Sequence, residues 1–365
     1  MLQKFSVTGF RAFKDKLVFD LSKAHDYAFN SHLIRNGIVA SGIIYGQNGC
    51  GKSCLGFAIF DIVGMLTDFQ LAEPMKDSST FINADTARES ADFEYTFLFG
   101  SDIVCYSYKK SAPDEIISET LTLNNNAILK RIHAHTILHH NQSLIIPELP
   151  PNMSALRYIC RNTPLDDNHP VKAVMSFAEK MLWFRSLNSR GYCGYTSGSS
   201  KLTDELSKNN KLKDFEDFLK DTAGIHLHLE LHENVTGSKE LYIKYPHRLV
   251  NFFNASSTGT QELLLVFYWT SVALNDIKFL FIDEFDAFYH FELAAKIVNN
   301  ISNRKSMQSY FTSHNTYLAS SRFMRPDCYF ILSDGKICSF ADATPRELRE
   351  GHNLEKMLRN GEFNE

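Results

Sequence analysis

The chain of 365 residues is 44% hydrophobic and 22% charged, with 38 Lys+Arg against 42 Asp+Glu for a formal net charge of −4. That balance suits a large α/β core with an insertion, or two domains, and excludes a general polyanion binder while leaving room for a local basic patch. The 7 cysteines, at positions 50, 54, 105, 160, 193, 328 and 338, form no C-x-x-C pair and read as reduced thiols. With no leader-like start and no uninterrupted apolar run of about 18 residues, a cytoplasmic protein without a membrane partner is expected.

Residues 5–10 alternate apolar and polar side chains, residues 11–15 turn, and residues 17–21 resume an apolar run, which predicts a β-hairpin. Residues 37–45 follow as a buried strand that breaks into Gly46-Gln47-Asn48-Gly49-Cys50-Gly51-Lys52-Ser53, a G-x-x-x-x-G-K-S pattern. Glycine tolerates the backbone angles that let successive N–H groups curl around phosphate oxygens. Lys52 would reach the β- and γ-phosphates, and Ser53 would place its hydroxyl on Mg²⁺. The helix from Cys54 to about Met65 points its positive end at the same anion, and Leu55, Ile59, Ile62, Val63 and Leu66 give it a face to pack on a sheet. An ordinary strand-turn-helix accounts for the glycines but not for a Lys-Ser pair at the helix start. Runs at 93–99, 103–108, 116–123 and 127–132, separated by turn residues, predict an antiparallel meander beside the core. Residues 1–132 therefore form the N-terminal part of the core.

Prolines at 147, 150 and 151 mark a change of character. Residues 171–187 and 202–222 read as helices with charged outer faces, separated by a Gly-, Ser- and Tyr-rich loop at 188–200. Residues 133–225 are accordingly expected to be a mainly helical insertion, a lid or a partner-binding region, with no heptad pattern for a coiled-coil arm. Residues 226–365 return to the core. A hairpin is predicted over 227–231 and 240–245, an apolar helix over 263–274, and a buried strand over 278–282 that ends at Asp283-Glu284. A helix over 291–300, a strand around 310–311, a helix over 316–321 and a strand over 328–333 complete an alternation that implies a parallel sheet covered on both faces.

Carboxylates at the end of a buried strand suit an NTP hydrolase: Asp283 to hold Mg²⁺ through water and Glu284 to deprotonate the attacking water. Ser257 and Gly259 open an uncharged helix and offer N–H groups to an anion, although a plain helix N-cap uses the same residues. His314 stands at the end of the next strand, where ligands bind in parallel sheets, with a satisfied structural histidine as the plainer alternative. His133, His135, His139 and His140, and His226, His228 and His232, have ligand-like spacing but no accompanying cysteines or paired carboxylates, and read as solvated or packing side chains. No Asp-x-Asp strand motif of a toprim nuclease follows Glu284, and His139-His140-Asn141 lacks an HNH framework.

Together these pieces resemble the ABC-type P-loop ATPases, most nearly the RecF/SMC/OLD branch and the bacterial single-domain ATPases of phage-defence and abortive-infection loci, of the PARIS, OLD and AbiL types. The resemblance covers the two outer thirds of the chain. It implies an α/β fold, a mainly parallel ABC-type core with an antiparallel β subdomain, split by a helical insertion. It further implies ATP and Mg²⁺ as cofactors, with nucleotide bound by Gly46, Asn48, Gly49, Cys50, Gly51, Lys52, Ser53 and Cys54. Mg²⁺ would be held by Ser53 and Asp283, with Glu284 and His314 catalytic and Asp286 as the D-loop residue. Ser257, Gly259 and Gln261 would be the signature acting in trans, which makes ATP binding a signal for a homodimer or higher homo-oligomer. The signature reads Ser-Thr-Gly-Thr-Gln instead of the usual Ser-Gly-Gly-Gln, and Gln142 is the candidate Q-loop glutamine. Such ATPases often work beside a separate nuclease or toxin effector, with nucleic acid or a phage component as possible trigger. A DNA-processing ATPase of the RecF kind, a transporter subunit and a non-hydrolysing nucleotide sensor would share the same core motifs.

Overall fold

The computed structural model describes residues 1–68, 77–138, 146–185, 191–194, 203, 206–207, 211–234, 237, 239–268, 276–287 and 291–363. Two compact units form: Met1–Ser197 with Lys278–Phe285 and Ser302–Glu365, and Gly198–Ile277 with Asp286–Ile301.

Period-two alternation builds the outer sheet of the first unit. β1 (Leu2–Thr8) and β2 (Leu17–Asp20) pair antiparallel as the expected hairpin. β3 (Ile34–Arg35) and β4 (Ile38–Val39) make a short second hairpin before β5 (Ser41–Tyr45) and α1 (Lys52–Leu66). β6 (Ala91–Phe99), β7 (Asp102–Ala112), β8 (Glu115–Leu123), β9 (Asn126–Ile132) and β10 (His135–Leu138) then meander antiparallel, and β6 joins β1. In β6 the residues Ala91, Phe93, Tyr95 and Phe97 are buried while their neighbours are half-buried, as one covered face requires. Asn124 and Asn125 both take positive φ, 49° and 69°, in the tight turn between β8 and β9.

α2 (Ala155–Asn162) and α3 (Pro170–Glu179) lead into the second sheet of this unit. Its order is β12-β11-β16-β17-β5-β18-β19, formed by β11 (Met181–Arg185), β12 (Gly191–Gly194), β16 (Phe279–Asp283), β17 (Gln308–Thr312), β18 (Tyr329–Ser333) and β19 (Lys336–Ser339). The five central strands run parallel and the two edges antiparallel. α1 lies against it closely enough that a Cβ on Gly56 would stand 2.8 Å from the Trp183 ring.

Three expectations change here. The helix expected over 171–187 stops at Glu179, and Met181, Leu182, Trp183 and Phe184 form a strand beside β16, because a run buried on both faces suits an inner parallel strand. The stretch read as a mainly helical insertion thus supplies a strand to the core. The loop expected over 188–200 holds β12 at 191–194, and the rest of it lies outside the described residues. The helix expected over 316–321 is a single 3-10 turn, Thr316–Leu318, capped by Asn315.

Two buried ion pairs tie the meander to its surroundings. Lys110 of β7 reaches Asp61 of α1 at 2.8 Å, and Tyr108 donates to the same carboxylate at 2.9 Å. Arg131 of β9 holds Glu119 of β8 at 3.0 Å, and Glu119 also accepts from Ser154, Tyr106 and the N–H of Ala155 at the start of α2.

In the second unit, α4 (Leu212–Ala223) ends at Gly224, whose φ of 67° suits a glycine C-cap. β13 (Leu229–Glu233), β14 (Lys239–Lys244) and β15 (Leu249–Asn251) form an antiparallel sheet that contains the expected hairpin. α5 (Phe252–Ala255), α6 (Thr258–Tyr268) and α7 (Phe291–Ser302) follow, and Phe215 packs on Phe252 and Phe267 with ring centroids 6.0 and 5.2 Å apart. α8 (Leu354–Arg359) closes the chain in the first unit.

Candidate functional site

β5 is buried along its whole length, so its apolar residues set the direction in which the chain leaves the sheet at Gly46. A Cβ on Gly46 would stand 2.5 Å from Cys50 Sγ and 2.5 Å from the carbonyl oxygen of Leu332, so only glycine fits. Gly49 and Gly51 turn the loop with φ of 80° and 105°. Gly51 caps α1, and its Cα faces the side chains of Ala12 and Phe13, 3.3 and 3.2 Å from where a Cβ would lie. Lys52 is 6% exposed and its Nζ donates to the carbonyls of Gly46 at 2.8 Å and Gln47 at 3.0 Å, bracing the loop from inside. Burial lowers the pKa of this ammonium, while Cys50, Asp283 and Glu284 pull in the opposite direction. Burial likewise raises the pKa of the Cys54 thiol, with Asp283 adding to the rise. The start of α1 and the end of β16 thus share one electrostatic environment. Ser53 lies half-buried at the second position of α1.

Asp283 ends β16 and is 4% exposed. Thr312, the last residue of β17, donates its hydroxyl to Asp283 Oδ1 at 2.6 Å and accepts the N–H of Glu284 at 2.7 Å. Glu284 takes φ of 51°, a left-handed conformation that costs a non-glycine residue about 1–2 kcal/mol. His314 follows two residues after Thr312 and is exposed. A cleft of about 780 Å³ opens between Gly46–Cys50 on one side and Ser313, His314 and the end of β18 on the other. Its size lies within the usual range of small-ligand sites, about 300–1,000 Å³. The cleft residues converge because β17, β5 and β18 are adjacent parallel strands that end at one edge, where open α/β sheets hold ligands, and Asp283 and Glu284 stand at the end of β16, one strand beyond β17.

The residue types suit an anion with a divalent cation. A glycine loop at a helix N-terminus and a lysine ammonium are groups that suit phosphates, and Ser53 and Asp283 carry a hydroxyl and a carboxylate, hard oxygen ligands of the kind Mg²⁺ prefers. Among the described residues, Asp283 Oδ2 accepts no hydrogen bond, which suits the donor set.

The second unit carries Ser257, Gly259, Gln261 and Asp286. Ser257 is exposed, and its hydroxyl accepts the N–H of Thr260 at 3.2 Å, so the helix-capping alternative is realised. Gln261 donates through Nε2 to the carbonyls of Phe253 at 2.7 Å and Ser256 at 2.9 Å, pinning the loop that presents Ser257. Asp286 is half-buried in the turn after β16. Gln142, His139 and His140 lie outside the described residues. Among the described residues no group of three or more His, Cys, Asp and Glu side chains is placed to hold a metal ion, and no helix is long and apolar enough to cross a membrane.

Sequence reasoning missed Thr312 and the Ala12-Phe13 wall behind Gly51. A signal for the wall existed in the Arg11-Ala12-Phe13 turn just after the first strand, where Arg11 takes φ of 46° and lays its guanidinium 4.4 Å from the Phe57 ring centroid. Thr312 carried no comparable signal, since a threonine at a strand end is common.

Residues 154–320 match the family described as "AAA domain, putative AbiEii toxin, Type IV TA system". No curated protein matches the chain. Among solved structures the chain is similar to the Smc head domain with an extended coiled coil bound to the C-terminal domain of ScpA, derived from Pyrococcus furiosus. That likeness has a TM-score of 0.51 at 15% identity and covers 98% of this chain and 98% of that one. It is also similar to an SmcHead bound to the C-winged helix domain of ScpA, with a TM-score of 0.50 at 17% identity over 98% of this chain and 99% of that one. At these identities the likeness is one of fold: a mixed α/β fold similar to that of the Smc head domains.

Proposed function

We propose that this chain binds ATP with Mg²⁺ at Gly46–Cys54 and hydrolyses it. The observation that carries the reading is the electrostatic coupling of a buried lysine inside a glycine loop to Asp283 and Glu284 at the end of β16, the next strand but one. When bound, the cation would be held by Ser53 and Asp283 and would neutralise charge on the β- and γ-phosphates. The remaining work falls to side chains of this chain. Lys52 exchanges its loop carbonyls for phosphate oxygens, Glu284 orients the attacking water and accepts its proton, and His314 at the cleft wall contacts the terminal phosphate. Asp286 serves as the D-loop residue that joins the two halves of a composite site.

A second copy completes the site through its Ser257, Gly259 and Gln261. The exposure of Ser257 at a helix start supports this, because a side chain presented outward at a positive helix end is available to phosphates of another protomer. Nucleotide-driven dimerisation or higher oligomerisation then becomes the output, read by a separate nuclease or toxin effector in anti-phage defence. The family match over 154–320 supports the defence setting, and the two Smc-head structures, each bound to ScpA, support a fold that engages a partner. The likeness to Smc heads equally favours a DNA-processing ATPase as the second reading.

Replacing Glu284 with Gln tests the first reading. ATP should remain bound and turnover should fall about 100- to 10,000-fold, the usual range for loss of a general base. Undiminished hydrolysis would refute the assignment, and stimulation of the wild-type rate by duplex or DNA ends would favour the second reading.

A further inference from the structure

The turn that carries Asp283 and Glu284 does not hold itself. Its backbone is left-handed at Glu284, with φ of 51°, in a residue type with no intrinsic preference for that region. Such a conformation persists only where neighbours over-determine it. The neighbour is the end of β17. Thr312 is 0% exposed, its hydroxyl donates to Asp283 Oδ1 at 2.6 Å, and it accepts the Glu284 N–H at 2.7 Å. A backbone N–H can only donate, which fixes the direction of the Glu284 bond. The hydroxyl oxygen therefore accepts from Glu284, and its own proton is left for Asp283 Oδ1. The main chain adds a third tie, from the Phe285 N–H to the Thr312 carbonyl at 3.3 Å, and the Phe285 ring packs 5.1 Å from that of Phe311.

We infer that Thr312 is the positioning residue of this site, one hydroxyl that fixes the rotamer of the cation-binding carboxylate and the backbone of the proton-accepting glutamate together. This rests on the ATPase reading for its kinetic consequence, but not for its geometry. One oxygen of Asp283 is occupied by Thr312, which would leave the other to hold a cation. Glu284 cannot relax to an ordinary turn without giving up its N–H bond. His314 lies two residues further along the same strand end, so both sides of the reacting position are referenced to one element.

Thr312→Val replaces the hydroxyl by a methyl of nearly equal size and leaves a buried N–H and a buried carboxylate oxygen without their partner. The Glu284 amide should exchange slowly in the parent protein and lose that protection in Thr312→Val, read by hydrogen exchange of the segment 279–287. Turnover should fall about 100-fold while affinity for a fluorescent ATP analogue changes less than about three-fold, the split expected when a reacting group is displaced by about 1 Å. Thr312→Ser keeps the hydroxyl and should restore both protection and most of the rate. A Thr312→Val protein with wild-type protection, or a Thr312→Ser protein as slow as Thr312→Val, would overturn the inference. If the parent protein hydrolyses no ATP, the ATPase reading fails, and the exchange measurement still decides the role of Thr312.

Discussion

Gly46→Ala is the sharpest test of the loop, because its consequence follows from a distance. The new methyl would sit 2.5 Å from Cys50 Sγ and 2.5 Å from the Leu332 carbonyl oxygen. The thiol can rotate away, but the carbonyl belongs to the backbone of β18 and cannot. Carbon–oxygen contacts ordinarily begin at about 3.3–3.6 Å, so loop and strand must separate by about 0.8–1.1 Å. Overpacking of this kind costs about 1–3 kcal/mol of stability, and a shift of about 1 Å in a positioned group costs about 100-fold in function. Gly49→Ala is the matched control. Its φ is 80° but nothing lies within 4 Å of the added Cβ, so only backbone strain, about 1–2 kcal/mol, is introduced. Thermal melts and titration with a fluorescent ATP analogue measure both effects. Gly46→Ala should lose more affinity than Gly49→Ala. Wild-type melting and affinity in Gly46→Ala would mean that the loop does not pack on β18 as described.

Lys110→Met leaves Asp61 buried on α1 without its cation and should lower stability by about 3–5 kcal/mol in chemical denaturation; Asp61→Leu with Lys110→Met should recover most of that loss, and no recovery would point to packing rather than charge. Because burial raises the Cys54 pKa, its thiolate forms only above the usual thiol range. Alkylation of Cys54, followed by mass spectrometry, should therefore be slow near neutral pH and rise at higher pH than for a free thiol; a profile matching the free thiol would contradict its burial. Mixing Lys52→Ala protomers with Ser257→Ala protomers should restore part of the ATPase activity if sites are composite. No recovery in mixed oligomers of demonstrated composition would count against action in trans.

Much of this architecture was legible in local pattern. Hydrophobic alternation marks β1, β2 and the meander, the G-x-x-x-x-G-K-S run puts a glycine where φ turns positive at Gly51, and continuous apolar residues mark β5 and β16 as inner strands. These features depend on residues close together in the chain, so the sequence by itself determines them. Residues 181–185 were different. A short apolar run after a helix is compatible with one more helical turn, and only the open position beside β16 made it a strand. Thr312 is the clearest case of what tertiary structure alone decided. It lies 29 residues from Asp283 and 28 from Glu284, and nothing in its local sequence distinguishes it from any strand-ending threonine. Its role exists because parallel pairing of β16 with β17 brings the two strand ends side by side, where one hydroxyl can satisfy a buried carboxylate and a strained backbone N–H at once.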